Sequence, residues 1–199
     1  MRIGLALLGL ATMATGCNSI LGIPDVELTT CTDPIAPEAG YGMVNLNSTG
    51  TAFINAEALM RITMRGNLNT ATRPDRLQLE LFHGTSFGGP GQAPIPGTYD
   101  LIGSERDYDS CGICLRIFTQ VDVGGTGTSV YMPNSGTLRL TSASGRLTGS
   151  LEDVTLRRVI IGANFVTTDH PSNCETTVTR ADFDLGIVLI DAATSQDAI

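Results

Sequence analysis

From Tyr41 onward the chain alternates apolar and polar positions with a period of two. Leu77, Leu79 and Leu81 alternate with Gln78 and Glu80, and Met60, Ile62 and Met64 alternate with Arg61, Thr63 and Arg65. Residues two apart share one face of a strand, so each segment predicts a half-buried strand, and neither keeps a helical stripe. The same pattern predicts strands at 98–102, 114–121, 129–132, 137–141, 146–161, 165–168 and 176–188. Within 146–161, Leu147 and Leu151 hold one phase while Val154, Leu156 and Ile160 hold the other. The change of phase near Glu152-Asp153 predicts a bulge or a tight turn there. With 23 Gly and 9 Pro punctuating eight to ten strands, the expected fold is all-β: an antiparallel β-sandwich or flattened barrel over 41–190. Residues 191–199 read as a polar, flexible tail.

The amino-terminal end follows other rules. Met1 and Arg2 precede an uncharged run, Ile3 to Ala14, which is too short for a stable membrane span but suits a signal peptide. The run ends in Ala14-Thr15-Gly16-Cys17, small residues before a cysteine, and the next stretch carries Pro24, Pro34 and Pro37. The expected organisation is a signal peptide over 1–16, a tether over 17–40, the β domain over 41–190 and the tail.

Ala14 to Cys17 resembles the lipobox of bacterial lipoproteins, although Leu commonly stands where Ala14 does. The resemblance implies a diacylglyceryl group on the Cys17 thiol, cleavage before Cys17 and a further acyl chain on the new amino terminus. At roughly 0.8 kcal/mol per buried methylene, two or three chains would make the membrane a permanent partner. Asn18 follows where, by analogy with Gram-negative lipoproteins, Asp would hold a protein at the inner membrane, so the expected location is the outer membrane. The lipobox cysteine with Ile20-Leu21-Gly22-Ile23-Pro24-Asp25, the Cys111/Cys114 pair entering a strand, Ser135-Gly136-Thr137-Leu138, Gly149-Ser150-Leu151 and a late cysteine together resemble lipoproteins of myxobacteria and their relatives. That resemblance implies an envelope location and a β-rich fold, and no particular activity.

All 12 basic residues are Arg, and the net charge is −8. Such a balance argues against nucleic acid or anionic head groups as partners, and no basic cluster stands out along the chain. Envelope proteins or glycans are the partners that remain.

With Cys17 assigned to lipid, Cys31, Cys111, Cys114 and Cys174 form an even set, which in an exported chain predicts two disulfides. The Cys111-Gly112-Ile113-Cys114 spacing also suits a redox pair or half a zinc site. A redox pair wants its first cysteine at a helix amino terminus, whereas Cys114 opens a strand. Zinc would need Cys31 with Cys174 or His170 in a reducing setting. Structural cystines are the better reading. Three residues apart, with Cys114 already in a strand, their side chains tend to diverge, so Cys111 and Cys114 are each expected to bond to Cys31 or Cys174 rather than to one another. No metal or cofactor is expected.

Gly84-Thr85-Ser86-Phe87-Gly88 fits the serine-hydrolase elbow G-x-S-x-G, with Asp153 and His170 as formal partners and His83 as the other histidine. That elbow must run into a helix, and the Gly/Pro-rich stretch after Gly88 cannot form one. Glu105, Asp107 and Asp109, then Glu152 and Asp153, then Asp182 and Asp184, could supply calcium oxygens or a glycosidase pair, but an acidic protein carries such groups on its solvated faces. Arg157-Arg158 reads as a strand-edge device against aggregation. The expected function is therefore non-catalytic: a lipid-anchored envelope protein with a structural or interaction role, or else a carbohydrate or small apolar ligand module. A concave groove bearing exposed Phe or Tyr side chains, from Tyr41, Tyr99, Tyr108 and Tyr131, would favour the second.

Overall fold

A computed structural model describes residues 31, 37, 39–55 and 61–190. Ten strands run in the order β1 Met43–Asn45, β2 Thr51–Asn55, β3 Arg61–Asn67, β4 Arg76–Phe82, β5 Gly97–Asp100, β6 Ile113–Phe118, β7 Val130–Ser144, β8 Arg146–Ile161, β9 Thr167–Asp169 and β10 Glu175–Ile190. The fold is all-β, as the alternation predicts. The segments expected at 129–132 and 137–141 are one strand, β7, carried through register shifts between Pro133 and Thr137.

Seven of the strands close on themselves in the order β2-β3-β4-β6-β7-β8-β10, with β10 returning to β2. Neighbours around an odd ring cannot all run in opposite directions. The exception is β10 with β2, which pair in parallel, Ile187 opposite Ala52 through Ile190 opposite Asn55. β1 lies parallel to the first half of the same edge, Met43 opposite Arg180. β5 pairs with β7 and β9 with β8, outside the ring.

One face of each strand lines the interior. Leu77, Leu79 and Leu81 of β4 meet Ile62 and Met64 of β3 and Ile113, Leu115 and Ile117 of β6, all buried. Across the ring, Leu147, Leu151, Val154 and Leu156 of β8 and Val178, Ala181 and Phe183 of β10 complete the core. Each of the Leu, Ile, Val, Met and Phe side chains among them contributes on the order of 2 kcal/mol by burial.

The phase change in β8 is the bulge that the sequence predicts. Asp153 takes φ 50°, and three steps from Thr155 to Glu152 face two from Ser135 to Thr137. Gly136, at φ 127°, lies where a Cβ would fall 2.6 Å from the Val154 Cα. The bulge closes tightly only against glycine.

Cys31 is bonded to Cys174, Cα atoms 5.8 Å apart, and Thr176 donates to the Pro37 carbonyl at 2.7 Å. Cys111 is bonded to Cys114, Cα atoms 5.2 Å apart. This corrects the pairing expected from strand geometry. Cys114 does lie in a strand, as expected, but β6 begins only at Ile113 and the Cys111 N–H closes a turn onto the Asp107 carbonyl at 3.0 Å, so the two side chains need not diverge. The turn swings the Cys111 side chain back over the strand.

Candidate ligand-binding groove

Because the Leu side chains of β4 point inward, Arg76, Gln78, Glu80 and Phe82 stand on its outer face. Register places Arg61, Thr63 and Arg65 of β3 on one side of them and Cys114, Arg116 and Phe118 of β6 on the other. The carboxylate of Glu80, side chain 3% exposed, accepts from Arg61 Nη1 at 3.0 Å and from Arg116 Nη2 at 2.5 Å. Such a buried anion is tolerable only with this pairing.

The segment between β5 and β6 folds back over that face. A small apolar cluster of Cys111, Cys114, Met132 and Val159, joined by Phe82 and Tyr108, holds it to the outer wall of the barrel. Arg157 fastens it from β8, donating through Nη2 to the Arg106 carbonyl at 3.2 Å, through Nη1 to the Pro133 carbonyl at 2.9 Å and through Nε to Asp169. The Tyr108 N–H donates to Thr167 Oγ1 at 2.8 Å, which ties the segment to β9.

Tyr108 is thereby fixed above Arg116, whose guanidinium carbon lies 3.9 Å from the ring centre, and its hydroxyl donates to Glu80 at 3.3 Å. Burial pushes the Tyr108 hydroxyl pKa above its ordinary value; Arg116 opposes the shift and Glu80 adds to it. Beside Tyr108 opens a groove of about 350 Å³ lined by Arg61, Phe82, Tyr108, Asp109, Asn164 and Phe165. Phe165 is 59% exposed and meets Tyr108 edge to face at 5.7 Å. Its φ of 63° is a left-handed conformation that a bulky residue adopts at a cost, in the turn leading to β9. The groove thus offers three aromatic rings, one arginine and two groups able to accept hydrogen bonds from hydroxyls. Its volume lies within the range of small-molecule sites.

The cationic–aromatic character extends down the same face. Arg61 stacks on Phe82 at 5.6 Å, Arg65 on Phe53 at 5.4 Å, and Arg116 also approaches Phe118 at 5.1 Å. Arg65 Nε donates to Gln78 at 2.9 Å. Burial first, then the neighbouring Arg76, Arg116 and Arg61, lower the Arg65 pKa from its ordinary value, though guanidinium stays charged near neutrality. Four arginines separated along the chain therefore converge on one sheet face around a single strand-borne carboxylate, Glu80. The sequence shows no such patch because the strands that carry it are spaced by loops.

The other residues singled out in the sequence are placed as follows. Cys17 lies outside the described residues. Ser86 sits in a one-turn 3-10 segment, Thr85–Phe87, and its hydroxyl donates to the buried Glu105 at 2.7 Å. The other oxygen of Glu105 accepts from the Ile113 N–H at 2.6 Å, so this serine and acid brace the start of β6. His170 Nδ1 bonds Ser172 at 2.9 Å. Asp107 pairs with Arg157 at 3.3 Å, Glu152 and Asp182 with Arg180 at 3.2 and 2.9 Å, and Asp184 with Arg146 at 2.8 Å. Asp153 is the exposed residue of the bulge, while Asp109 lines the groove. Among the described residues no three His, Cys, Asp or Glu side chains are grouped to hold a metal ion.

The edge reading of Arg157-Arg158 is corrected: β8 pairs with β7 on one side and with β10 and β9 on the other, and Arg157 is a fastener inside the structure. Of the four tyrosines, Tyr131 is buried in the core, Tyr41 donates to Asp75 at 3.0 Å, and Tyr99 packs on Phe87 and donates to the Ile95 carbonyl at 2.7 Å. Tyr108 is the one that reaches the groove. Phe82 and Phe165 are not among the residues the sequence singles out for a groove, although Phe82 continues the outer phase of β4 as an apolar residue on a polar face.

No protein-family model, curated protein or solved structure matches this chain. Among the described residues no helix is long and apolar enough to cross a membrane.

Proposed function

We propose that this protein is a lipid-anchored envelope module, held at the outer membrane through Cys17, that binds carbohydrate without transforming it. The observation that carries the binding reading is the groove itself, with Phe82, Tyr108 and Phe165 set around Arg61, Asp109 and Asn164. Aromatic faces pack against the C–H faces of sugar rings, and side-chain acceptors and donors at the rim fit ring hydroxyls. Two features favour a binder over a purely structural role. The Tyr108 segment is fixed by a disulfide, an arginine fastener and a backbone bond, so the groove is preformed, and the turn holds Phe165 left-handed and exposed beside it.

Oligosaccharide-array screening of the mature chain, followed by calorimetry on any hit, tests this reading. The expected result is a saccharide bound at micromolar to millimolar affinity and weakened about tenfold or more in Phe165→Ala. Absence of binding to any saccharide, or equal binding by Phe165→Ala, counts against it.

A further inference from the structure

We propose that the saccharide held in the groove is acidic, a short sugar bearing a carboxylate or phosphate that is recognised by Arg61 and drawn in by the arginine face behind it. This deepens the carbohydrate reading and rests on it. Arg61 lines the groove with its side chain 33% exposed, and Glu80 engages its Nη1. A guanidinium carries five N–H donors, so one carboxylate contact leaves it able to hold a second anion. Arg116, Arg65 and Arg76 follow Arg61 across the face, against Glu80 on the strands and Asp109 at the rim. This local excess of positive charge stands in a chain whose net charge is −8.

Each of three guanidiniums there lies against an aromatic ring, which keeps it flat on the sheet and limits its hydration. A weakly hydrated cation loses little on meeting an anion. The same arrangement limits the size of the ligand. The overall negative charge repels a long polyanion, while a groove of about 350 Å³ holds one or two sugar rings. Asp109 and Asn164 add polar contacts that suit hydroxyls, which a bare phosphate or a membrane surface would not use.

The test presents the full mature chain, in detergent, with matched neutral, carboxylated and phosphorylated oligosaccharides at two salt concentrations. Vesicles of phosphatidylglycerol and phosphatidylethanolamine form a separate arm, scored with lipid-free Cys17→Ser protein. The expected result is binding of acidic sugars at least about tenfold tighter than their neutral counterparts, with the preference shrinking as salt rises. Arg61→Gln should abolish the preference, and Arg65→Gln, which leaves the Glu80 pairing intact, should reduce it several-fold. Neutral and acidic sugars bound equally would overturn this inference while leaving the carbohydrate reading standing. No sugar bound at all would overturn both, and binding of the lipid-free protein to the anionic vesicles without sugar binding would do the same. If Arg61→Gln fails to fold, the salt dependence of the parent protein and the Arg65→Gln result decide.

Discussion

Arg116 lies with its guanidinium carbon 3.9 Å from the centre of the Tyr108 ring while its Nη2 pairs with Glu80 at 2.5 Å. One cation thus joins the barrel wall to the segment folded over it. Replacing Arg116 with Met leaves Glu80 buried with Arg61 as its remaining ionic partner, and should cost on the order of 3 kcal/mol. The double variant Arg116→Met/Glu80→Leu should recover much of that loss, because the buried carboxylate that has lost one of its two arginines is then gone. Urea unfolding of the three proteins checks both; a double variant no more stable than Arg116→Met would show that the stacking, not the charge, dominates.

The two disulfides should differ in their contribution. Cys31 and Cys174 are separated by 143 residues and Cys111 and Cys114 by 3. In the chain-entropy picture the first constrains the unfolded chain by about 5 kcal/mol and the second by about 2 kcal/mol. Replacing each pair with Ser and comparing unfolding midpoints should give that order. Non-reducing tryptic mapping should show one peptide, 107–116, containing an intact Cys111–Cys114 bond, and a crosslink joining Cys31 to Cys174.

Gly136→Ala should destabilise by about 2 kcal/mol or more, since the new Cβ would meet Val154 and φ 127° is strained for any L side chain. Gly145→Ala is the control: it has positive φ, 71°, but open space around it. A smaller loss at Gly145, measured by thermal melting, would show that a positive φ by itself does not account for the cost at Gly136.

Tyr41 carries a pH prediction. Burial above all, then the charge of Asp75 and the hydrogen bond to it, raise its pKa in the folded protein well above the ordinary value near 10. The folded state therefore favours the protonated phenol. That contribution is fully present below about pH 10, and is lost as pH rises through the folded pKa. Melting temperature should fall above about pH 10, and the fall should be shallower in Tyr41→Phe. Equal slopes would remove Tyr41 as the cause.

Cys17→Ser should release the protein from membranes as a soluble or unprocessed species. Fractionation of the variant with membranes like the parent would refute the lipid anchor, and parent protein peaking with inner-membrane markers on a sucrose gradient would refute the outer-membrane location.

The alternation of Leu77, Leu79 and Leu81 made β4 legible because a half-buried strand must repeat every two residues, and the phase switch at Asp153 exposed the bulge by the same rule. β1 and β2 were not legible as separate elements: Met43–Asn45 is too short to show a period, and Leu46 after it turns into the core. The parallel closure of β10 on β2 leaves no local trace, since pairing direction depends on residues more than 130 positions apart. The groove was half readable. Tyr108 is one of four tyrosines the sequence offers, but its meeting with Phe82 and Phe165 depends on how a turn after β8 and a loop before β6 pack on one outer wall. The gathering of Arg61, Arg65, Arg76 and Arg116 follows from strand register, which composition cannot report.

The parallel seam between β2 and β10 joins the first strand of the ring to its last. The five pairings from β2 through β8 can form before β10 is made, whereas the seam, like the pairing of β8 with β10, needs the last strand. Until β10 is in place, β2 keeps the edge opposite β3 unpaired. Such an open edge is a template for a second chain. Truncation within Ile187–Ile190 would leave the seam unpaired, so the vulnerability to aggregation of this protein is concentrated in the last residues of β10.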